Sequence, residues 1–563
     1  MMYKIVKITF LLFCYLSFQL QAATLPNTSP ALPVNENQLF RDMVVDYVRT
    51  IANHVIMHSS LPESRLDSRW NRYAHADWSV QIAIYYQGNK LAQGSAHNTR
   101  LSKSIALATE AALNQTALPG ISAHELEQFR FKVTFDYYPN QYYAFIEYRG
   151  KGLELSGNRV AIRRLDVPLL QQQISDSQHY LLSAMHPSIH GFSKSYDAGK
   201  DKREGKLRTI YSASSLYTLL KLYQLNHDPD VKKQLKPIAD FLLSMQVKTG
   251  ANAGAFYYAY DPNSEQKTCQ LVVGTSSKTI FTLLELYRFY HSETYLNAAK
   301  KAGDWLLGMI KPNGEVTAIA TCRDDVWEYD QKQSFLYSGQ VLSALSRLYA
   351  LTQDQRYHHG ATLIAKRFEE EISKQGLLVG DDYRPKNTIS TSWVLRSLID
   401  YAKINKEKRY LDLIRQVAAK ILSLQITNES DVYTYGRYRD TRKASGNGWL
   451  NEVMSDLYEF CQNSRLGNCQ QYYKPILLSS RWLIQNSYSQ ANSYDVKNPS
   501  QAIGGFISFF ANKTVRTDAV CHGLNSLINL LTIVGNNNTI LLTVPERPFA
   551  EILPSLSAGK GFL

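Results

Sequence analysis

Between about residues 167 and 534 one pattern recurs six times, and no other feature of the chain restricts its fold as tightly. Apolar residues fall at i, i+3, i+4 and i+7 in Leu216, Leu219, Leu220 and Tyr223. They do so again in Ile280, Leu283, Leu284 and Tyr287, and in Val341, Ala344, Leu345 and Leu348. That spacing lines one face of an α-helix. Leu395, Leu398 and Ala402 continue the series, followed by Leu450, Val453, Met454 and Leu457, then Leu524, Leu527, Ile528 and Leu531. Successive members open every ~55–70 residues, the scale of a helical-hairpin repeat.

Second helices run between the first ones, marked by Ile238, Phe241, Leu242 and Met245, by Tyr295, Ala298, Ala299, Ala302 and Trp305, and by Tyr410, Leu413, Ile414, Val417 and Ile421. Polar tetrads at 227–230, 291–294 and 352–355 join antiparallel neighbours. A lone helix over 167–185 precedes the first unit, and the last helix, over 518–534, has no follower. Pairing those two gives about twelve helices in six hairpins and closes a ring, so that no apolar end needs a polar cap. The expected fold is mainly α, an (α/α)6 toroid over 167–540, after a smaller α+β domain over 24–166 and before a tail over 541–563.

On this periodicity, and on loops such as Gly-Ala-Phe-Tyr-Tyr-Ala-Tyr-Asp at 254–261 ahead of an inner helix, the chain resembles the six-hairpin toroid superfamily. That superfamily includes glycoside hydrolases, polysaccharide lyases and uronic-acid or amino-sugar epimerases. The resemblance implies a carbohydrate-active protein with a cleft ringed by the inner helices' first turns. It implies a polysaccharide or oligosaccharide substrate, taken by hydrolysis, elimination or epimerisation, and calls for no cofactor. No catalytic signature of one family matches, so no residue role transfers.

The N-terminal region alternates polar and apolar residues over 80–86, turns at Gln87, Gly88 and Asn89, continues with a helix over 102–113, and alternates again over 129–137 and 142–147. Its order of hairpin, helix and hairpin resembles AMMECR1-type domains, with Leu-Ala-Gln-Gly-Ser at 91–95 where that family carries Arg-Gly-Cys-Ile-Gly.

Lys4 and Lys7 precede an apolar run of about 11 residues and small residues at Ala22 and Ala23, the layout of a signal peptide over 1–23 and too short to span a bilayer. A periplasmic or secreted protein without a transmembrane segment is expected. The formal charge of +13 falls to +11 without Lys4 and Lys7. The cations are scattered, and an exported chain without a basic stripe is not a nucleic-acid binder. Five cysteines remain after cleavage: Cys461 and Cys469 are close enough to staple one loop, Cys269 and Cys322 hold equivalent places in successive repeats, and Cys521 is left over.

In a toroid the first turns of the inner helices face the cleft, which selects the candidates. Catalytic carboxyls come from Asp324, Asp325, Asp381, Asp382, Glu452 and Asp518, since glycoside chemistry employs one protonated and one ionised carboxyl. An Asp ahead of a helix is equally an N-cap. The densest group spans 516–522, Arg-Thr-Asp-Ala-Val-Cys-His, where Asp518 and His522 share a helix face and form a candidate general base. Tyr337 and Tyr211 precede inner helices as candidate bases or donors, and Arg208, Trp449, Asn451 and Arg516 are candidate substrate contacts. Two alternatives stand beside the enzyme reading. One is a sugar- or protein-binding toroid. The other is a zinc enzyme, because Cys521, His522 and Gly523 resemble the Cys-His-Gly of lanthionine synthetase cyclases.

Overall fold

The structure, a computed structural model, describes residues 36–58, 61, 70, 78–115, 123–137, 141–324, 326–509 and 513–548. The expected signal peptide and Asp325 lie outside them. None of the described helices is long and apolar enough to cross a membrane.

A six-stranded antiparallel sheet forms the N-terminal part, in the order β2-β1-β3-β4-β5-β6: β1 Trp78–Tyr86, β2 Asn89–Asn98, β3 Arg130–Tyr137, β4 Gln141–Tyr148, β5 Lys151–Ser156 and β6 Arg159–Val160. Alternation over β1 puts Val80, Ile82 and Ile84 on one face, where helices α1, Glu36–His58, and α2, Leu101–Leu113, cover them. Phe40, Val44 and Val48 of α1 meet Leu101 and Ile105 of α2 over Phe131, Val133 and Phe135. Helix α1 and strands β5 and β6 are elements the sequence reading lacks.

Twelve long helices follow among the described residues, besides the short Pro499–Ala502 and a 3-10 turn Cys469–Tyr472: α3 Val167–Ala184, α4 Thr209–Asn226, α5 Pro229–Ser244, α6 Val273–Tyr290, α7 Glu293–Gly308, α8 Phe335–Thr352, α9 Gln355–Gln375, α10 Thr388–Ile404, α11 Lys408–Leu422, α12 Ala444–Ser464, α13 Tyr473–Gln485 and α14 Thr517–Val534. The even-numbered ones from α4 form the inner ring, each packed on the next, and α14 returns to α4 while α3 covers it from outside. The hairpin turns repeat in detail. His227, His291 and Gln353 end α4, α6 and α8 in the left-handed conformation, and the Asp228 and Asp354 side chains cap α5 and α9.

Two glycines mark the closure. Gly254 (φ +95°) sits where a Cβ would come within 2.1 Å of the Lys301 carbonyl oxygen of α7, the outer helix after α6. Gly504 (φ +86°) has the same relation to the Asp176 carbonyl oxygen of α3, at 2.0 Å. The loop before α14 therefore treats α3 as its own outer helix, and the ring is circular. Two disulfides form, Cys269–Cys322 across adjacent repeats and Cys461–Cys469 within one loop, and Cys521 is free and buried. Strand β7, Arg164–Asp166, pairs with β8, Ile540–Thr543, and the tail's Glu546 binds the α1 residue Arg41 at 2.7 Å.

Candidate active site

The inner helices all start on one face, and their first two turns enclose a cleft of about 400 Å³. Tyr211 and Ser214 of α4, Lys278 of α6, Tyr337 and Gln340 of α8, Trp393 of α10, Trp449 of α12, and Asp518 and His522 of α14 line it. Beneath lies a pocket of about 20 Å³ bordered by Lys278, Trp393, Trp449, Glu452 and His522, with room for about one water molecule.

Two ionic groups flank α14, one at its seam with α12 and one at its seam with α4. His522 Nδ1 lies 2.6 Å from Glu452 Oε2, and Asn525 Nδ2 donates to Glu452 Oε1 at 3.1 Å. Burial opposes ionisation of Glu452, but His522 and, further off, Lys278 outweigh it and hold the carboxyl well below its ordinary range. A carboxylate on Nδ1 fixes the imidazole's orientation and tautomer, and leaves Nε2, which makes no hydrogen bond among the described residues, as the working atom. In the second group Arg516 donates from Nε to Asp518 Oδ1 at 2.9 Å and from Nη2 to Oδ2 at 2.7 Å, and also to the Tyr211 hydroxyl at 3.0 Å. The guanidinium overcomes burial and keeps Asp518 below its ordinary range, while burial and then the Asp518 charge push the Tyr211 phenol far up. Tyr211 is accordingly a neutral hydroxyl beside a fixed ion pair. Asp518 is not a helix cap, because Arg516 holds that position.

Aromatic rings supply one wall. Trp393 and Trp449 stack at 3.7 Å between centroids, Trp449 Nε1 donates to Ser392 Oγ at 2.9 Å, and the His522 ring meets Trp449 edge-on at 5.0 Å. Tyr337 also faces the cleft, its hydroxyl pushed up by burial.

Other candidates stand elsewhere. Asp324 turns an exposed hairpin at φ +46°, between strands Ile319–Arg323 and Val326–Tyr329. Asp381 accepts from the backbone N–H groups of Phe335, Tyr383 and Arg384, and Asp382 from that of Gln333, so both carboxylates tie loops together at the start of α8 and neither lines the cleft. Asn451 points outward and donates to Ser480 Oγ of α13 at 2.9 Å, and Arg208 pairs with Glu204 beside Tyr258. Lys278, Trp393 and Arg384 reach the cleft without having been singled out by sequence.

A zinc ion does not fit the residues present. No group of three or more His, Cys, Asp or Glu gathers among the described residues. Four cysteines are consumed by disulfides, and Cys521 is buried against Ser215 at 3.5 Å with its thiol pushed up to about 12, far from the thiolate that metal binding needs.

Ring, cleft and seam together define the class: an (α/α)6 toroid of the six-hairpin superfamily. Within it, residues 272–457 match the model of glycosyl hydrolase family 76, a stretch from the start of α6 into α12. The fold is similar to cellobiose 2-epimerase from Bacillus thermoamylovorans B4167, at 12% identity over 65% of this chain and 99% of that one, with a TM-score of 0.51. It is also similar to a sugar epimerase from a ruminal bacterium, at 10% identity over 66% and 100%, TM-score 0.50. A D-mannose isomerase is similar at 14% identity over 65% and 98%, TM-score 0.50. None of the curated proteins matches the sequence.

Proposed function

We propose that the protein is an exported carbohydrate-active enzyme that moves a proton at an acidic sugar, as a polysaccharide lyase or uronic-acid epimerase does, with His522 as the base. The observation that carries this is the Glu452–His522 pair at the cleft floor, with Nε2 unengaged. A carbon-bound proton beside a carboxylate becomes acidic enough to abstract when the carboxylate's charge is neutralised, and the cations of the cleft suit that requirement. Nη1 of Arg384 is buried without a partner, and Lys278 has no ion pair among the described residues. Tyr211, held as a phenol, is suited to donate a proton to the departing glycosidic oxygen of a lyase or to the opposite face of the carbon in an epimerase. Export is supported by the N-terminal leader and by two disulfides, which persist in oxidising compartments.

Hydrolysis is the second reading, favoured by the family 76 match over residues 272–457. Hydrolysis by a carboxyl pair needs one member protonated at working pH. Glu452 and Asp518 are both held ionised, which argues against these two as that pair.

Purified protein, offered a panel of uronate-containing and neutral polysaccharides, is expected to act on an acidic one. His522→Gln should lower that turnover ~10²–10⁴-fold, the usual worth of a general base, measured where the variant is folded, since loss of the partner of the buried Glu452 carboxylate should also lower the melting temperature. Turnover of neutral glycans alone, unaffected by His522→Gln, contradicts the proposal. Binding without turnover of any glycan points to the non-catalytic toroid.

A further inference from the structure

Two cations of the cleft, Lys278 and Arg384, have no ion pair among the described residues, and Lys278 is the one seated on the aromatic wall. It lies in the second turn of α6, enclosed by protein on every side except where it borders the cleft and the small pocket beneath. Its ammonium stands 4.9 Å from the centroid of Trp393 and 5.1 Å from that of Trp449, with Phe281 at 5.7 Å. It makes no hydrogen bond and no ion pair among the described residues. The neighbouring cations differ in this respect. Arg347 and Arg396 are both paired with Asp400, and Arg516 with Asp518. An ammonium has three donors, and those of Lys278 open onto the cleft, where a bound anion can accept from them in place of water. Aromatic faces attract the charge but satisfy no donor. Burial pushes the amine down to about 8, against the pull of Glu452, so near neutral pH the site still holds a positive charge.

We propose that Lys278, seated on the Trp393–Trp449 stack, is the anion subsite of the cleft and receives the carboxylate of a uronic-acid residue. The inference rests on the acidic-sugar reading of the same site and specifies where the acid group docks. Its geometry suits a glycuronan: Trp449 is in contact with both Lys278 and His522, so a sugar bound there through its carboxylate lies next to the His522 ring. Both roles fit one ring because the carbon that loses its proton in a lyase or C5-epimerase bears that carboxylate. Neutral hexoses would leave the ammonium unpaired and would be rejected, since a site built around a charged group discriminates strongly against ligands that cannot satisfy it.

The test is binding, read independently of turnover, with galacturonate, glucuronate and mannuronate oligomers and their neutral hexose counterparts as probes. By calorimetry wild-type protein is expected to bind at least one acidic series at least ~10-fold more tightly than its neutral counterpart. Lys278→Met should abolish that preference, and Lys278→Arg should keep part of it. In parallel, an amine-reactive acylating reagent at pH 8–9, read by mass spectrometry, should label Lys278 in the wild type, and the preferred acidic oligomer should protect it where the neutral one does not. Equal binding of acidic oligomers by wild type and Lys278→Met, or labelling indifferent to the acidic oligomer, overturns the subsite. Failure of the two proposals is separable. Acidic preference lost in Lys278→Met but retained in His522→Gln, without any proton abstraction by the wild type, leaves the subsite standing and removes the reaction. Proton abstraction with an unchanged KM in Lys278→Met does the reverse.

Discussion

His522 presents its two ring nitrogens to different surroundings, Nδ1 to the Glu452 carboxylate and Nε2 to the cleft. Glu452→Gln keeps an acceptor near the ring but removes the charge that supports imidazolium, and kcat is expected to fall ~10²-fold or more with KM little changed. The same carboxyl has a pH signature. Its folded value lies below the ordinary 4.5, so its stabilisation is complete above about 4.5 and is lost progressively as pH falls below that. Acid titration of stability should therefore be shallower in Glu452→Gln than in wild type over that window. Lys278 works with the opposite sign. Its amine is lowered from 10.5 to about 8, so the folded state sheds a proton the unfolded chain keeps, and stability should rise with pH between those values. Lys278→Met should melt higher than wild type at pH 7, with the gap narrowing towards pH 10.5. Glu452, Asp518 and His522 were legible in sequence because helical periodicity fixes which residues of a first turn share a face. Lys278 was not. Two positions before Ile280, a lysine in an isolated helix reads as solvated, and only the closed ring puts that side against Trp393 and Trp449. Asp381 and Asp382 illustrate the converse, since an aspartate that ties a loop and one that faces a cleft have the same local sequence.

Among the elements, the inner helices and their partners follow from periodicity alone, whereas the loops between them depend on contacts distant in sequence. Gly254 and Gly504 were visible only as turn residues, and their role is the approach of one repeat's loop to the next outer helix. Gly504→Ala forces both a positive φ on alanine and a clash with the Asp176 carbonyl, and should cost at least about 1–3 kcal/mol in denaturant unfolding. An exposed control is Gly376, also at positive φ but with no atom within 4 Å of the added Cβ, where the loss should be smaller. The Cys269–Cys322 disulfide bridges 53 residues of chain and joins the approaches to α6 and α8. Replacing both cysteines with serine should lower stability by about 2–4 kcal/mol. Helix α1 was not singled out in the sequence although Phe40, Val44, Val48, Ile51 and Val55 recur at helical spacing along it. Arg41 is inside because partners distant in sequence satisfy it, the Glu546 carboxylate together with the Tyr143 hydroxyl and the Gly152 carbonyl.

For the molecule as a whole, closure makes the cleft: six inner helices begin on one rim only if α14 docks between α12 and α4. A chain truncated after Arg516 would leave apolar faces of both helices open, and should aggregate or unfold without a sharp transition by circular dichroism, whereas an open solenoid would tolerate losing its last helix. The ring also places a base from the last repeat beside an aromatic wall from the fourth and fifth, so the chemistry belongs to no single hairpin. Proton abstraction from a sugar carbon is the central claim, and incorporation of solvent deuterium tests it most directly. With an acidic polysaccharide in deuterium oxide, wild-type protein should either place deuterium at the carbon beside the carboxylate or release an unsaturated uronate, and His522→Gln should do neither. Cleavage that releases reducing ends with that carbon unexchanged and saturated, in wild type and His522→Gln alike, would contradict it.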